Sequence, residues 1–117
     1  MSAASVRRGE VHLLDLSEDG TRRTKRRPVL VIQHDVGNRH ASETIVAAIR
    51  DPIGGRELPV FVPLAAGQGG LPKNSVVDAG RLYTVPQESL RKRLGALSPD
   101  ALSRVDHALR LSLGLTS

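Results

Sequence analysis

A run of cations that precedes an apolar segment is the strongest chemical signal in the sequence. Five of six consecutive positions carry a positive charge, namely Arg22, Arg23, Lys25, Arg26 and Arg27. Arg27 directly precedes Pro28 and the apolar run Val29–Ile32, so we expect its backbone to be held at the start of a strand. A guanidinium held in this way can grip a phosphate with two hydrogen bonds and stabilise charge that develops on the phosphoryl oxygens. The alternative is a solvated charge run that only attracts a polyanion.

Other kinds of reactive site find little support. The chain has no cysteine, which excludes disulfides, a thiol nucleophile and a cysteine-based zinc site. The glycine-rich segment Gly67–Gly70 lacks the Lys-Ser/Thr pair of a phosphate-binding loop. The four histidines have no metal-ligand spacing, so we predict neither a metal site nor a cofactor; they are His12, His34, His40 and His107. RNA brings its own nucleophile, the 2′-hydroxyl, so a ribonuclease needs only charge stabilisation and proton transfer.

Length and charge narrow the class of protein. A chain of 117 residues predicts one domain over 1–117, and we expect residues 1–7 to be flexible. The net charge of +5 favours a polyanionic partner, although a soluble domain with a basic surface would have the same composition. Phe61 and Tyr83 are the only aromatic residues, so a nucleic acid would be held by charge and hydrogen bonds rather than by stacking. No apolar run could span a membrane, which predicts a cytoplasmic protein.

Short apolar segments separated by glycine and proline predict most of the chain to be β-strand. We expect a polar loop over Ser17–Arg27 and a glycine-rich loop over Ala65–Lys73. The region Asp35–Glu43 reads as a turn or short helix, and Pro59 and Pro63 suggest that the strand between them lies at an edge. The predicted strands are Gly9–Leu16, Val29–Ile32, Thr44–Ile49, Val60–Leu64, Ser75–Val77 and Arg81–Val85, with a strand or turn over Leu90–Leu97.

One amphipathic helix is predicted near the C-terminus. Ser98 is suited to cap it, Pro99 fits its first position, and Gly114 is suited to end it. Its apolar residues recur at helical spacing, namely Leu102, Val105, Leu109 and Leu113. Strands followed by one such helix predict a mainly β (α+β) fold, a small barrel with the helix packed against it.

Five blocks of the sequence form a recognisable series, in order and with little gapping between Arg8 and Leu115. The blocks are Arg8–Val11 with Asp15 and Leu16, Arg26–Ile32 with Asp35, Asn38 and Arg39, Ile45–Ile49, Gly70–Val77, and Leu97–Ser98 with Val105, Asp106, Ala108 and Leu109. Together they resemble the MazF/PemK toxin family. The resemblance implies an SH3-like β-barrel of the CcdB/PemK type that forms a homodimer. It further implies sequence-specific cleavage of single-stranded RNA such as mRNA, products with 2′,3′-cyclic phosphate and 5′-hydroxyl ends, and a cognate MazE-like antitoxin.

The resemblance also implies roles for individual residues. Arg27 matches the family's catalytic arginine, which would stabilise the transition state and act as acid or base through water or substrate. The family's catalytic threonine falls on Arg50, a permanent cation that can stabilise charge but cannot relay a proton. The residues expected to bind RNA are Thr21, Arg22, Arg23, Lys25, Arg26, Arg81 and Tyr83.

Several positions depart from the family pattern. Gly20–Arg23 stands where the family usually has Gly-Ser-Glu-Gln, Arg81–Thr84 where it often has Gln-Ile-Arg-Thr, and His12 where the first strand has an aromatic residue.

Three functions stay open on this basis. The first is an active endoribonuclease with an altered site, and the second is a catalytically silent module that binds RNA or an antitoxin. The third is a gyrase-directed toxin, which no residue here favours.

Overall fold

The computed structural model describes residues 5–17, 24–54 and 57–115. Six strands form one antiparallel sheet, and a short helix and a long helix accompany it. The strands are β1 (Glu10–Ser17), β2 (Thr24–Val31), β3 (Glu43–Arg50), β4 (Phe61–Leu64), β5 (Ser75–Pro86) and β6 (Leu90–Ala96). Helix α1 (Asp35–His40) lies between β2 and β3, and α2 (Pro99–Leu113) follows β6. The predicted mainly β fold with a C-terminal helix is confirmed.

Within the described residues the sheet is not closed into a barrel by hydrogen bonds. Its strand order is β4-β5-β3-β2-β1-β6, and within the described residues no ladder joins β4 to β6. β4, with Pro63 in it, is an edge strand as expected. A 3₁₀ turn at Gln68–Gly70 packs against β6, and a Cβ atom at Gly70 would collide with the backbone carbonyl of Leu94. Gly70 also has a φ of +75°, so both its backbone and its packing require glycine.

Strand β2 begins earlier than the sequence suggested. The prediction of a loop over Ser17–Arg27 is wrong at its C-terminal end, because Thr24 to Arg27 already pair with β1. Arg26 lies opposite Asp15 and Arg27 opposite Leu14, so tertiary pairing overrides the polar composition. Pro28 lies within β2 rather than at its start. It is tolerated there because β2 pairs with β3 only from Val29 onward.

The two short strands predicted near residue 80 are one long strand with a bulge. β5 pairs with β3 on both sides of the bulge, where the partner of Ala47 is Leu82 and the partner of Ala48 is Asp78. The intervening residues of β5 have no partner in β3, which bends the strand and changes the direction of its side chains. This bulge brings Asp78 and Arg81 close to the end of β3.

Apolar residues on the two faces of the sheet form two separate clusters. Leu30 belongs to the cluster between the sheet and α2, and Val31 belongs to the cluster on the opposite face; both are fully buried. Val29, Leu30 and Val31 are therefore buried on both faces of the sheet, while Ile32 is half-buried. The second cluster contains Val6, Leu14, Val29, Val31, Val46 and Leu90.

Helix α2 forms as predicted at both ends. The Ser98 side chain accepts a hydrogen bond from the Ala101 N–H at 3.2 Å, and Gly114 ends the helix in the left-handed region at φ 70°. The buried stripe differs from the predicted one, because Leu113 is 53% exposed while alanines occupy the contact with the sheet. Its buried residues are Ala101, Val105, Ala108 and Leu109. None of the helices in the described part of the chain is long and apolar enough to cross a membrane.

Candidate functional site

A cleft of about 520 Å³ opens beyond the end of the β2–β3 ladder, where these two strands are no longer paired with each other. We call it the cationic cleft, because it is lined by Arg26, Arg27, Arg50 and Lys73, together with Leu13, Pro28, Ile49, Asp51, Leu71, Pro72, Ser75 and Leu94. Val29 is paired with Ala48 in the β2–β3 ladder. Arg27 lies two residues before Val29 in β2, and Arg50 lies two residues after Ala48 in β3, so both arginines lie just beyond the last pair of this ladder. The two residues predicted to be catalytic therefore line the same cleft from neighbouring strands.

The guanidinium of Arg50 is held by residues from two strands. Its Nη1 donates to Oδ2 of Asp78 at 3.2 Å, and its Cζ lies 6.0 Å from the centre of the Phe61 ring. Asp78 is only 5% exposed, and its Oδ1 accepts the Gly80 N–H at 2.9 Å. The Nε of Arg81 lies 3.7 Å from the same Asp78 oxygen that Arg50 contacts. Asp78 therefore forms ion pairs with Arg50 and Arg81 beside the cationic cleft, and its hydrogen bond fixes the direction of the Arg50 guanidinium.

A second ion pair crosses the mouth of the cationic cleft. Asp51 follows Arg50 at the end of β3, and its Oδ1 lies 2.8 Å from the Nζ of Lys73. A hydrogen bond from Lys73 and the charge of the same ammonium hold the pKa of Asp51 below its ordinary value, and the charge of Arg27 adds to this effect. Both side chains are about 70% exposed, so a substrate can reach them.

Positive charge continues from the cationic cleft along the surface of β1 and β6. Asp15 lies between Arg26, whose Nε is 3.2 Å from Oδ1, and Arg91, whose Nε is 3.9 Å from Oδ2. Both arginines are more than 60% exposed. A polyanion that leaves the cleft in this direction would meet further cations.

His12 lies outside the cationic cleft. It is buried, and its Nε2 lies 3.1 Å from Oε1 of Glu10, whose other oxygen accepts a hydrogen bond from Arg93 at 2.9 Å. Burial raises the pKa of Glu10, but hydrogen bonds from the Arg7 N–H, His12 and Arg93 outweigh it and lower the pKa overall. His12 therefore belongs to the contact between β1 and β6 and not to the cationic cleft.

The predicted RNA-binding residues fall into four groups. Arg26 lines the cationic cleft, and Arg81 lies beside it through Asp78. Tyr83 is 46% exposed on β5 but does not line the cleft. Lys25 lies in β2 opposite Leu16, and its side chain is outside the described part of the structure. The remaining three lie outside the described residues, namely Thr21, Arg22 and Arg23.

Three charged residues at this site were not singled out from the sequence. Asp51 and Lys73 come together from segments 22 residues apart, and no local spacing indicates their pairing. Asp78 had a detectable signal, because it is a carboxylate in an otherwise apolar run, Val76 to Ala79. A buried carboxylate in such a run requires a hydrogen-bonding or cationic partner, and the sequence is rich in arginines that could serve as that partner.

Comparison with known proteins gives consistent results. Residues 7–113 match the model of a family described as the PemK-like, MazF-like toxin of type II toxin–antitoxin systems. The chain is 38% identical over 113 residues to the endoribonuclease MazF of Staphylococcus epidermidis, covering 96% of this chain and 94% of that protein.

Solved structures with this fold include two from mycobacteria. The Mycobacterium tuberculosis toxin MazF-mt6 superposes with a TM-score of 0.77 at 27% identity, covering 92% of this chain and 99% of that one. An endoribonuclease in complex with its cognate antitoxin from a mycobacterial species superposes with a TM-score of 0.81 at 23% identity, covering 97% and 99%. At 23% identity the second likeness supports the fold alone.

Proposed function

The chain belongs to the family of PemK-like, MazF-like toxins of type II toxin–antitoxin systems, and from this premise we propose that it is an endoribonuclease that cleaves single-stranded RNA at specific sequences. The nucleophile would be the 2′-hydroxyl of the RNA itself, and the products would carry 2′,3′-cyclic phosphate and 5′-hydroxyl ends. The reaction would need no metal and no cofactor. The single observation that carries the proposal is that Arg27 and Arg50 both line the cationic cleft.

The two arginines suit the charge that this reaction develops. As O2′ attacks phosphorus, negative charge grows on the two non-bridging oxygens of the phosphate. Guanidinium groups stay protonated at any physiological pH and present parallel N–H donors to such oxygens. Arg50 is already oriented by Asp78 and Phe61, so its side chain loses little conformational entropy when the transition state forms.

We further propose a cytoplasmic homodimer that is controlled by a MazE-like antitoxin. The family to which the chain belongs is described as the toxin of type II toxin–antitoxin systems, which supports an antitoxin as the partner here. A groove shared by two subunits would lengthen the RNA path beyond the single cleft and its flank at Arg26 and Arg91. Sedimentation at micromolar concentration should give a dimer, and a monomer throughout would contradict this part of the proposal.

The direct test is cleavage of RNA in the presence of EDTA. The purified protein is incubated with a long, unstructured RNA, and the ends of the fragments are mapped. We expect cuts at a recurring short sequence, with cyclic phosphate ends, and an Arg27→Ala protein prepared in parallel should leave the RNA intact. Activity that disappears in EDTA and returns with magnesium would contradict a metal-independent mechanism.

A second candidate is a catalytically silent module that binds RNA or an antitoxin. It is favoured by the state of Arg50, which has no hydroxyl and is already paired with Asp78. Such a protein would bind RNA in the same assay without cutting it, and Arg50→Ala would change nothing measurable. Arg50→Thr would then be the informative variant, because restoring a hydroxyl there should create cleavage.

A further inference from the structure

The cationic cleft contains a carboxylate, which a simple phosphate-binding site would exclude. Among its described lining residues Asp51 is the only acid, and none is a histidine. Asp51 stands beside Arg50, lies in the field of Arg27 and is bonded to Lys73 at 2.8 Å. A negative charge at this position repels the phosphate that the four cations of the cleft attract.

The reaction proposed above requires two proton transfers that arginine performs poorly. The 2′-hydroxyl must lose a proton as O2′ attacks phosphorus, and the 5′-oxygen must gain one as it leaves. Arg27 and Arg50 cannot accept a proton, because a guanidinium is already fully protonated. A carboxylate and an ammonium in the same cleft supply the two missing functions, provided that both reach the reacting atoms.

We propose that Asp51 is the general base and Lys73 the general acid of RNA cleavage by this chain, an inference that rests on the proposed ribonuclease activity. The Asp51 carboxylate takes the proton of the 2′-hydroxyl, and the O2′–P bond forms. The P–O5′ bond breaks, and the leaving oxygen takes a proton from the Lys73 ammonium. The 2.8 Å contact then lets the carboxylic acid return its proton to the neutral amine, which restores both groups for the next turnover.

The protonation state of Asp51 is suitable for this role. Lys73, through a hydrogen bond and its charge, and then Arg27 hold its pKa below the ordinary aspartate value, and Arg50 is its neighbour in sequence. A base with a lowered pKa is ionised at neutral pH, and it loses activity only when the pH falls through that lowered value. Cleavage should therefore stay at its plateau through mildly acidic pH, and an Asp51→Asn protein should lack the acid limb.

The repulsion between Asp51 and the phosphate makes the test specific. A residue that only binds RNA or supports the fold loses affinity when it is replaced, whereas a catalytic carboxylate in a cationic cleft should lose rate and gain affinity. Removing one negative charge near a phosphate should tighten binding by roughly twofold to fivefold after screening by salt. Loss of a general base should slow the chemical step by about 10²-fold or more.

The first experiment compares Asp51→Asn with Asp100→Asn, which removes an equal charge from an exposed position on α2. Cleavage of one RNA oligomer is measured under single-turnover conditions, and affinity is measured with its fully 2′-O-methylated form, which has no nucleophile. We expect Asp51→Asn to be slow and to bind more tightly, and Asp100→Asn to match the wild type in both. The thermal midpoints should agree, because both aspartates are exposed.

The second experiment tests Lys73 with a substrate whose leaving group does not need a proton. Lys73→Arg keeps the positive charge but replaces the acid with one that holds its proton, so RNA binding should persist while cleavage slows. A substrate with sulfur in place of the bridging 5′-oxygen needs no acid, because a thiolate leaves unprotonated. This substrate should restore the rate of Lys73→Arg and should leave Asp51→Asn slow.

Three results would overturn the assignment while the ribonuclease itself stands. Wild-type rates in Asp51→Asn would show that the base lies elsewhere, and faster cleavage would show that Asp51 merely occupies the phosphate position before substrate binds. A wild-type rate in Lys73→Arg would show that Lys73 contacts the phosphate but is not the general acid. If the wild-type protein cuts no RNA at all, the proposed function fails together with this inference.

Discussion

Asp78 should couple the stability of the fold to the position of Arg50, and this coupling can be measured. Asp78→Ala removes the acceptor of the Gly80 N–H and the ion-pair partner of Arg50. A hydrogen bond to a buried charged group is worth about 1.5–3 kcal/mol. The Arg50 side chain is 36% exposed, so its ion pair contributes at most about 1 kcal/mol. Removing the carboxylate also relieves its desolvation cost, so we expect a net loss of about 2 kcal/mol.

This loss can be read from thermal unfolding at a fixed protein concentration. For 117 residues the entropy of unfolding is about 0.25 kcal/mol/K, so a loss of 2 kcal/mol lowers the midpoint by about 8 °C. A double-mutant cycle with Arg50→Ala then isolates the pair, with an expected coupling of about 0.5–1 kcal/mol. Single-turnover cleavage should show the same coupling, because an Arg50 without Asp78 no longer points reliably at the phosphate.

Additive effects would refute this reasoning. If Asp78→Ala lowers the cleavage rate as strongly in the Arg50→Ala background as in the wild type, Asp78 does not act through Arg50. If its midpoint equals that of the wild type, the contacts with Arg50 and Gly80 do not stabilise the fold.

Three further predictions concern other parts of the structure. Arg27→Ala should lower the single-turnover rate by about 10²–10³-fold, and lysine should rescue it poorly because a point charge cannot replace a two-pronged donor; an alanine variant as active as the wild type would remove Arg27 from the site. Arg26→Ala should flatten the slope of log K against log salt by roughly 0.7, the value for one phosphate contact on single-stranded RNA, and an unchanged slope would show that Arg26 points away from RNA. The Arg8 N–H donates to Asp35 at 2.6 Å, and this hydrogen bond lowers the pKa of Asp35 against the opposing effect of burial. Its contribution to stability is therefore present above the ordinary aspartate pKa and is lost as the pH falls through the lowered value. Asp35→Asn should destabilise the protein near pH 7 and converge with the wild type in urea unfolding around pH 2; a constant difference would contradict this origin.

The elements that local chemistry specifies were predictable from the sequence. Helix α2 begins after Ser98 and ends before Gly114 because a hydroxyl can cap the first N–H groups and glycine can adopt a positive φ. The strand at Val29–Ile32 was visible because a buried strand needs an uninterrupted apolar run. Both signals lie within a few residues, so no knowledge of distant partners was required.

Features that depend on distant partners were not predictable in this way. Arg26 and Arg27 lie in a strand because β1 pairs with them, although their own segment is polar and charged. The bulge in β5 is a property of its register with β3, which a single strand does not encode. The pairing of Asp51 with Lys73 likewise depends on the path of the loop between β4 and β5. The core was therefore easier to anticipate than the charged groups of the site.

Arg50 shows how these levels combine. A threonine, which the family resemblance implies at this position, offers a hydroxyl that can both donate a hydrogen bond and pass on a proton. Arginine offers more charge but cannot relay a proton, and it must be held in place to be useful. The fold provides Asp78 to hold it, and the next residue along the chain, Asp51, faces Lys73 across the cleft. If Arg50 stabilises charge and Asp51 transfers the proton, Arg50→Thr should not increase the cleavage rate. The new hydroxyl would duplicate the function of Asp51, and the substitution would remove the cation. A gain in rate from Arg50→Thr would show instead that a hydroxyl at this position serves the reaction better than the arginine does.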